Sequence, residues 1–140
     1  MNSLELLLSR WRNEDVGPRP PESEEAIRIA FAAAGYQASS DVVRLYRAIG
    51  GMDVGDNVLW RLWPLDEIAS QEPSDRGVLF SDYILSSWSY RLLPVSDEVS
   101  AVYVDYFDES APTLVASSLE EFFEKYVNDA LLLLDPKAHR

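Results

Sequence analysis

The chain has 140 residues, with 24 acids against 12 lysines and arginines, for a net charge of −12. That length suits one domain able to bury about two thirds of its unfolded surface, and the absence of cysteine excludes disulfides, thiolate nucleophiles and cysteine-based zinc sites. The negative balance opposes direct binding to nucleic-acid phosphates or anionic lipid and predicts a basic protein partner; acidity that merely keeps an abundant protein soluble is the plainer alternative.

The first ten residues lack a basic stretch and carry Glu5 within their apolar run, so they do not read as a signal peptide. The late apolar run Ala130 to Leu134 is far short of the ~20 residues that cross a bilayer. Both features, with the missing cysteines, predict a cytoplasmic protein without a membrane span.

Leu4, Leu7, Leu8 and Trp11 repeat at helical spacing, and Pro18, Pro20 and Pro21 follow. Proline removes amide donors and biases the preceding residue toward extended backbone. Residues 1–21 therefore read as a mobile helical arm with a proline-rich linker, attached to a single domain that fills the chain. Ser23 caps a second helix with the stripe Ile27, Ala30, Phe31 and Ala34, closed by Gly35. A third helix, capped by Ser39 or Ser40, carries Val42, Leu45, Tyr46 and Ile49 on one face and Asp41 in its first turn. Gly50-Gly51 stops it, one of the pair being expected at positive φ as the residue after the C-cap.

The periodicity then changes from helical to alternating. Strands are predicted over Val58–Trp63, Val78–Tyr83, Ser87–Leu93, Val99–Tyr106 and Thr113–Val115, with a short helical turn over Leu65–Gln71. Ser118-Leu-Glu-Glu121 is a capping box, and Leu119, Phe122, Phe123, Tyr126, Val127, Ala130, Leu131 and Leu134 give the last helix an apolar face for four turns, ended by Asp135-Pro136. Helices, then strands, then a helix predict an α+β fold: an antiparallel sheet of about five strands with helices packed largely on one face.

Several of these blocks occur together in one known family. The helix closed by Gly50-Gly51, the acidic loop, the tryptophan-rich strand ending in Pro64-Leu65, the segment Phe80-Ser-Asp-Tyr-Ile84 and the Ala116-Ser-Ser-Leu-Glu-Glu-Phe122 helix start resemble the SUKH superfamily. That family groups bacterial toxin-immunity proteins with yeast cell-wall-assembly regulators. The resemblance covers roughly residues 22 to 128 and contains no catalytic motif. It implies the same α+β architecture and a non-catalytic immunity protein that neutralises a basic toxin such as a nuclease; an intracellular scaffold or regulatory protein-binding domain is the alternative from the other branch.

The residues themselves carry little catalytic chemistry. His139 is the only histidine and lies in the terminal tail, and no phosphate-cradling glycine loop occurs. Neither an enzyme nor a cofactor is expected. Asp53 with Asp56, and Asp105 with Asp108 and Glu109, are dense enough for a hard cation but lack EF-hand spacing, so solvated loop acids are the expectation and metal ligands the rival.

Strand succession places the candidate partner-binding site. If the first four strands run antiparallel in order, one end of the sheet collects Asp53, Asp56, Asp82, Asp105, Asp108 and Glu109, with Trp88 and Tyr106 as aromatic anchors, while the other end carries Arg76 and the Pro94 turn. Between Leu92 and Glu124 there are eight acids and no lysine or arginine, which predicts a field of one sign. Loops at the end of a rigid sheet are common sites of function, and Trp and Tyr are favoured as anchors.

Overall fold

Helices α1 (Ser3–Asn13), α2 (Glu24–Ala33) and α3 (Ser40–Ala48) come first in the computed structural model, which describes residues 2–85 and 87–134. Strand β1 (Trp60–Leu62), helix α4 (Leu65–Ala69), strands β2 (Val78–Tyr83), β3 (Trp88–Pro94), β4 (Ser100–Asp105) and β5 (Thr113–Ala116), and helix α5 (Leu119–Leu134) follow. The strands form one sheet in the order β1-β2-β3-β4-β5, every neighbouring pair antiparallel. The α+β class and the strand succession expected from the sequence are both present.

The core lies between the sheet and α5. Phe122, Phe123 and Tyr126 are buried on α5, and Phe122 packs edge-on against Phe80 and Tyr90 and at a tilt against Trp60, with ring centroids 5.6 to 6.2 Å apart. Alternation along the strands supplies the opposing face through Trp60, Phe80, Tyr90, Leu92, Val102 and Val104. Arrangements of this kind combine apolar area with edge-to-face ring contacts.

The N-terminal arm belongs to this core and is not a loose appendage, correcting the expectation for residues 1–21. Leu7, Trp11 and Val16 are buried, and Trp11 stacks on Trp60 with centroids 5.8 Å apart and planes 16° from parallel. The prolines route the chain without freeing it. Pro18 bridges to Met52, the Arg19 N–H donates to the Gly51 carbonyl at 2.8 Å, and the Gly50 N–H donates to the Arg19 carbonyl at 3.0 Å.

That seam accounts for Gly50-Gly51. Helix α3 ends in an extended Ile49 (φ −151°), so Gly50 after it is not the left-handed closure that was expected, while the positive φ expected of one of the pair falls on Gly51. A Cβ on Gly50 would lie 2.2 Å from the Pro20 carbonyl oxygen, and one on Gly51, whose φ is 132°, 2.6 Å from the Cα of Pro64. The pair lets three backbone segments touch. The left-handed closure occurs instead after α2, where Gly35 has φ 91°, its N–H donates to Ala32 and the Tyr36 N–H donates to Phe31.

Two boundaries differ from expectation for local reasons. Strand β1 begins at Trp60 because Leu59 has φ 71° and the Val58 N–H turns back to the Asp56 side chain at 3.0 Å. Helix α5 breaks at Asp129 (φ −162°, ψ 86°), whose carboxylate caps a new segment by accepting from the Leu132 N–H at 3.1 Å. Leu131, expected on the apolar face, stands 63% exposed. Asp135, Pro136 and His139 lie outside the described residues.

Asp41 ties α3 to the sheet and to α5. One of its oxygens accepts from the backbone N–H of Ser100 at 3.3 Å and of Leu119 at 3.2 Å, and the other accepts from the Ser39 hydroxyl at 2.6 Å. Ser39 thus spends its proton on Asp41 and, 2.6 Å from the Ser100 hydroxyl, accepts from it. Among the described residues no helix is long and apolar enough to cross a membrane.

Candidate protein-binding surface

The antiparallel meander brings the loop between Gly51 and Trp60, the turn between Tyr83 and Trp88 and the loop after Asp105 to one end of the sheet. All eight sequence-predicted site residues come from these segments or from the strand ends that they join, so the convergence is present. Their environments differ, and three of the acids do not face solvent.

Asp56 is 4% exposed. One carboxylate oxygen accepts from the Val58 and Trp60 N–H groups at 3.0 and 3.1 Å, and the other from Trp11 Nε1 at 3.0 Å and from the Tyr126 hydroxyl. A carboxylate with four donors around it is held as a charge inside the protein. Burial, reinforced by this anion, pushes the Tyr126 phenol far above its ordinary range.

Asp82 and Asp105 are also buried, each beside an arginine. Asp82 accepts from Trp63 Nε1 at 2.6 Å and lies 3.4 Å from Arg61. Arg61 is gripped more firmly by Glu67, at 2.8 and 2.6 Å, and that bond is the main cause of its raised pKa. Asp105 accepts from Arg91 Nε at 2.8 Å and from the Phe107 N–H at 2.8 Å. Asp56, Asp82 and Asp105 are therefore internal fastenings and leave the expected list of exposed partner-binding acids. Asp82 and Asp105, each paired with an arginine, project little field into solvent.

Asp53, Asp108 and Glu109 remain exposed at this end. Asp53 is paired with Arg19 at 2.7 Å, both side chains about half in solvent. Trp88 and Tyr106 are half-buried and form a row with Tyr83, the centroids of Tyr83–Trp88 and Trp88–Tyr106 being 5.2 and 5.8 Å apart. The run of acids from Asp97 to Glu124 is not one field. Asp97 and Glu98 sit at the opposite, β3–β4 end, while Glu120, Glu121 and Glu124 lie on α5, where Glu121 is paired with Lys125 at 3.2 Å.

Apolar side chains distinguish this end more sharply than acids do. Val54, Leu59, Ile84, Leu85 and Phe107 all protrude there, Leu85 being 97% exposed. Four of them, Leu59, Ile84, Leu85 and Phe107, adopt φ between 49 and 71°. These are the positive-φ residues other than glycine among the described residues, and each is large and apolar. Left-handed backbone disfavours any side chain by about 1–2 kcal/mol and a β-branched one especially. Backbone outliers of this kind gather at functional sites, where the surrounding structure holds them.

Sequence reasoning missed these residues, although one signal was present. The connection between β2 and β3 opens with Ile84-Leu85, where a hairpin turn ordinarily calls for Asn, Asp or Gly. Among the described residues no group of three or more His, Cys, Asp or Glu is arranged to hold a metal ion. No family model matches this sequence, and no curated protein or solved structure matches it either.

Proposed function

We propose that this chain is a non-catalytic binding protein that docks a basic protein at the Leu59–Leu85 end of its sheet, and that it serves as an immunity protein neutralising a basic toxin such as a nuclease. The toxin enters through the resemblance to SUKH proteins. The surface supports the binding half of the reading: exposed Val54, Leu59, Ile84, Leu85 and Phe107 stand beside the exposed acids Asp53, Asp108 and Glu109. Apolar anchors within a polar rim are the anatomy of protein interfaces, and exposed apolar groups clustered on one surface mark interaction sites.

Complementary potential steers association and fixes register, which suits an acidic inhibitor of a basic enzyme. The test is to reverse Asp53, Asp108 and Glu109 together, leaving the buried acids intact, and to measure the association rate with the cognate toxin domain against salt. A slower rate and a flatter salt slope are expected. An unchanged rate and slope would remove the charge-steered docking, and stable association with a host protein in place of a toxin would favour the scaffold.

A further inference from the structure

We propose that the groove between the 53–59 loop and the Ile84-Leu85 turn receives an arginine side chain presented by the partner. The inference rests on reading this end of the sheet as the protein-binding surface, and it specifies what the surface recognises.

The groove has a volume of about 560 Å³, within the roughly 300–1,000 Å³ of built ligand sites. Its walls are Val54, Leu59, Ile84 and Leu85, and its carboxylates are Asp53 and Asp82. The Ile84 N–H donates to the Leu59 carbonyl at 2.9 Å, so the two loops that form the walls are fastened to one another. Apolar walls with acids at the margin match a side chain that has a hydrocarbon stem and a cationic head.

Charge selects the cation. Arg61, the one basic residue among those that line the groove, is held by Glu67 through two short bonds and lies 3.4 Å from Asp82, so that with Arg19 two guanidiniums stand against three carboxylates. Asp53 is bound to Arg19 in a pair exposed to solvent on both sides, which an incoming guanidinium can replace at little cost. Guanidinium is preferred over ammonium because it is planar, always charged and weakly hydrated, and so tolerates a half-buried apolar wall.

The backbone gives a second, independent reason. Ile84 and Leu85 hold left-handed φ of 49 and 51°, a conformation in which asparagine or glycine would be more comfortable. Bulky side chains retained against that preference are accounted for when they form the binding wall, a trade of stability for function.

The experiment uses the isotopically labelled full chain and three probes: hexylguanidinium, guanidinium alone and hexanol. Hexylguanidinium should cause saturable NMR shifts centred on the amides of Val54, Leu59, Ile84 and Leu85, roughly tenfold tighter than either half-probe. Equal binding of hexanol would overturn the arginine assignment, and so would no shift, or shifts centred elsewhere, at millimolar probe. Leu85→Asn, which suits the turn, should keep or raise the melting temperature and weaken hexylguanidinium binding several-fold, while Asp53→Asn should remove the preference over hexanol. Unchanged affinity in both variants would also overturn it. If these probes fail while salt-steered association persists, only the arginine groove is lost; if steering fails while the groove binds, the charge-steered docking is lost instead.

Discussion

Asp56→Ala should destabilise the protein by about 3 to 5 kcal/mol, although it removes a buried charge that costs free energy to desolvate. Alanine would orphan two side-chain donors in the core, Trp11 Nε1 and the Tyr126 hydroxyl, and would take the acceptor from the Val58 and Trp60 N–H groups. Each buried donor left unpaired costs about 1–3 kcal/mol. Relief of carboxylate desolvation returns part of that sum, which sets the net value below the sum of the four bonds. Against a total stability of about 5–15 kcal/mol, about a fifth or more is at stake. Urea unfolding followed by fluorescence of the stacked Trp11 and Trp60 measures it, with a lower midpoint expected at an unchanged slope. The decisive comparison is a double-mutant cycle. Tyr126→Phe should cost about 1.5–3 kcal/mol alone, because it takes a donor from a charged acceptor, but nothing in the Asp56→Ala background, where it deletes an orphan. A cost for Asp56→Ala under about 1 kcal/mol, or strict additivity with Tyr126→Phe, would refute the assignment of Asp56 as a core fastening.

Phe122→Ala should cost about 3–5 kcal/mol by chemical unfolding, since the ring is fully buried against Trp60, Phe80 and Tyr90; an unchanged midpoint would mean that α5 does not carry the core. Burial raises the phenol pKa of Tyr46, Tyr90 and Tyr126 in the folded chain. Their contribution is therefore complete below the unfolded tyrosine value of about 10 and is lost as pH climbs past it, so circular dichroism should show the melting temperature falling there; a flat profile to about pH 12 would contradict this burial. Gly50→Ala and Gly51→Ala should each cost more than about 1 kcal/mol, the first through the Pro20 carbonyl and the second through its φ and Pro64. Neutral substitutions at both positions would show that the seam can open without loss.

Much of the fold was legible because its signals are local. Period-3.6 stripes marked α2, α3 and α5, and alternation marked β2, β3 and β4 to within a residue or so. Ser23 and Ser118 cap as their side chains require, accepting from the Ala26 and Glu121 N–H groups at 3.1 Å. Succession of short-linked strands was enough to foresee which loops share an end of the sheet. What the residues could not disclose was the fate of each acid. Asp53 and Asp56 stand three apart in one loop, yet one lies in solvent with Arg19 while the other is enclosed by α1, β1 and α5, since burial depends on what long-range packing places nearby. Trp11 and its proline linker looked detachable for the same reason, since Asp56 lies 45 residues from Trp11 and Met52 lies 34 from Pro18. The left-handed Leu59, Ile84, Leu85 and Phe107 were equally hidden, because local propensity argues against that backbone and only the assembled sheet end holds it in place.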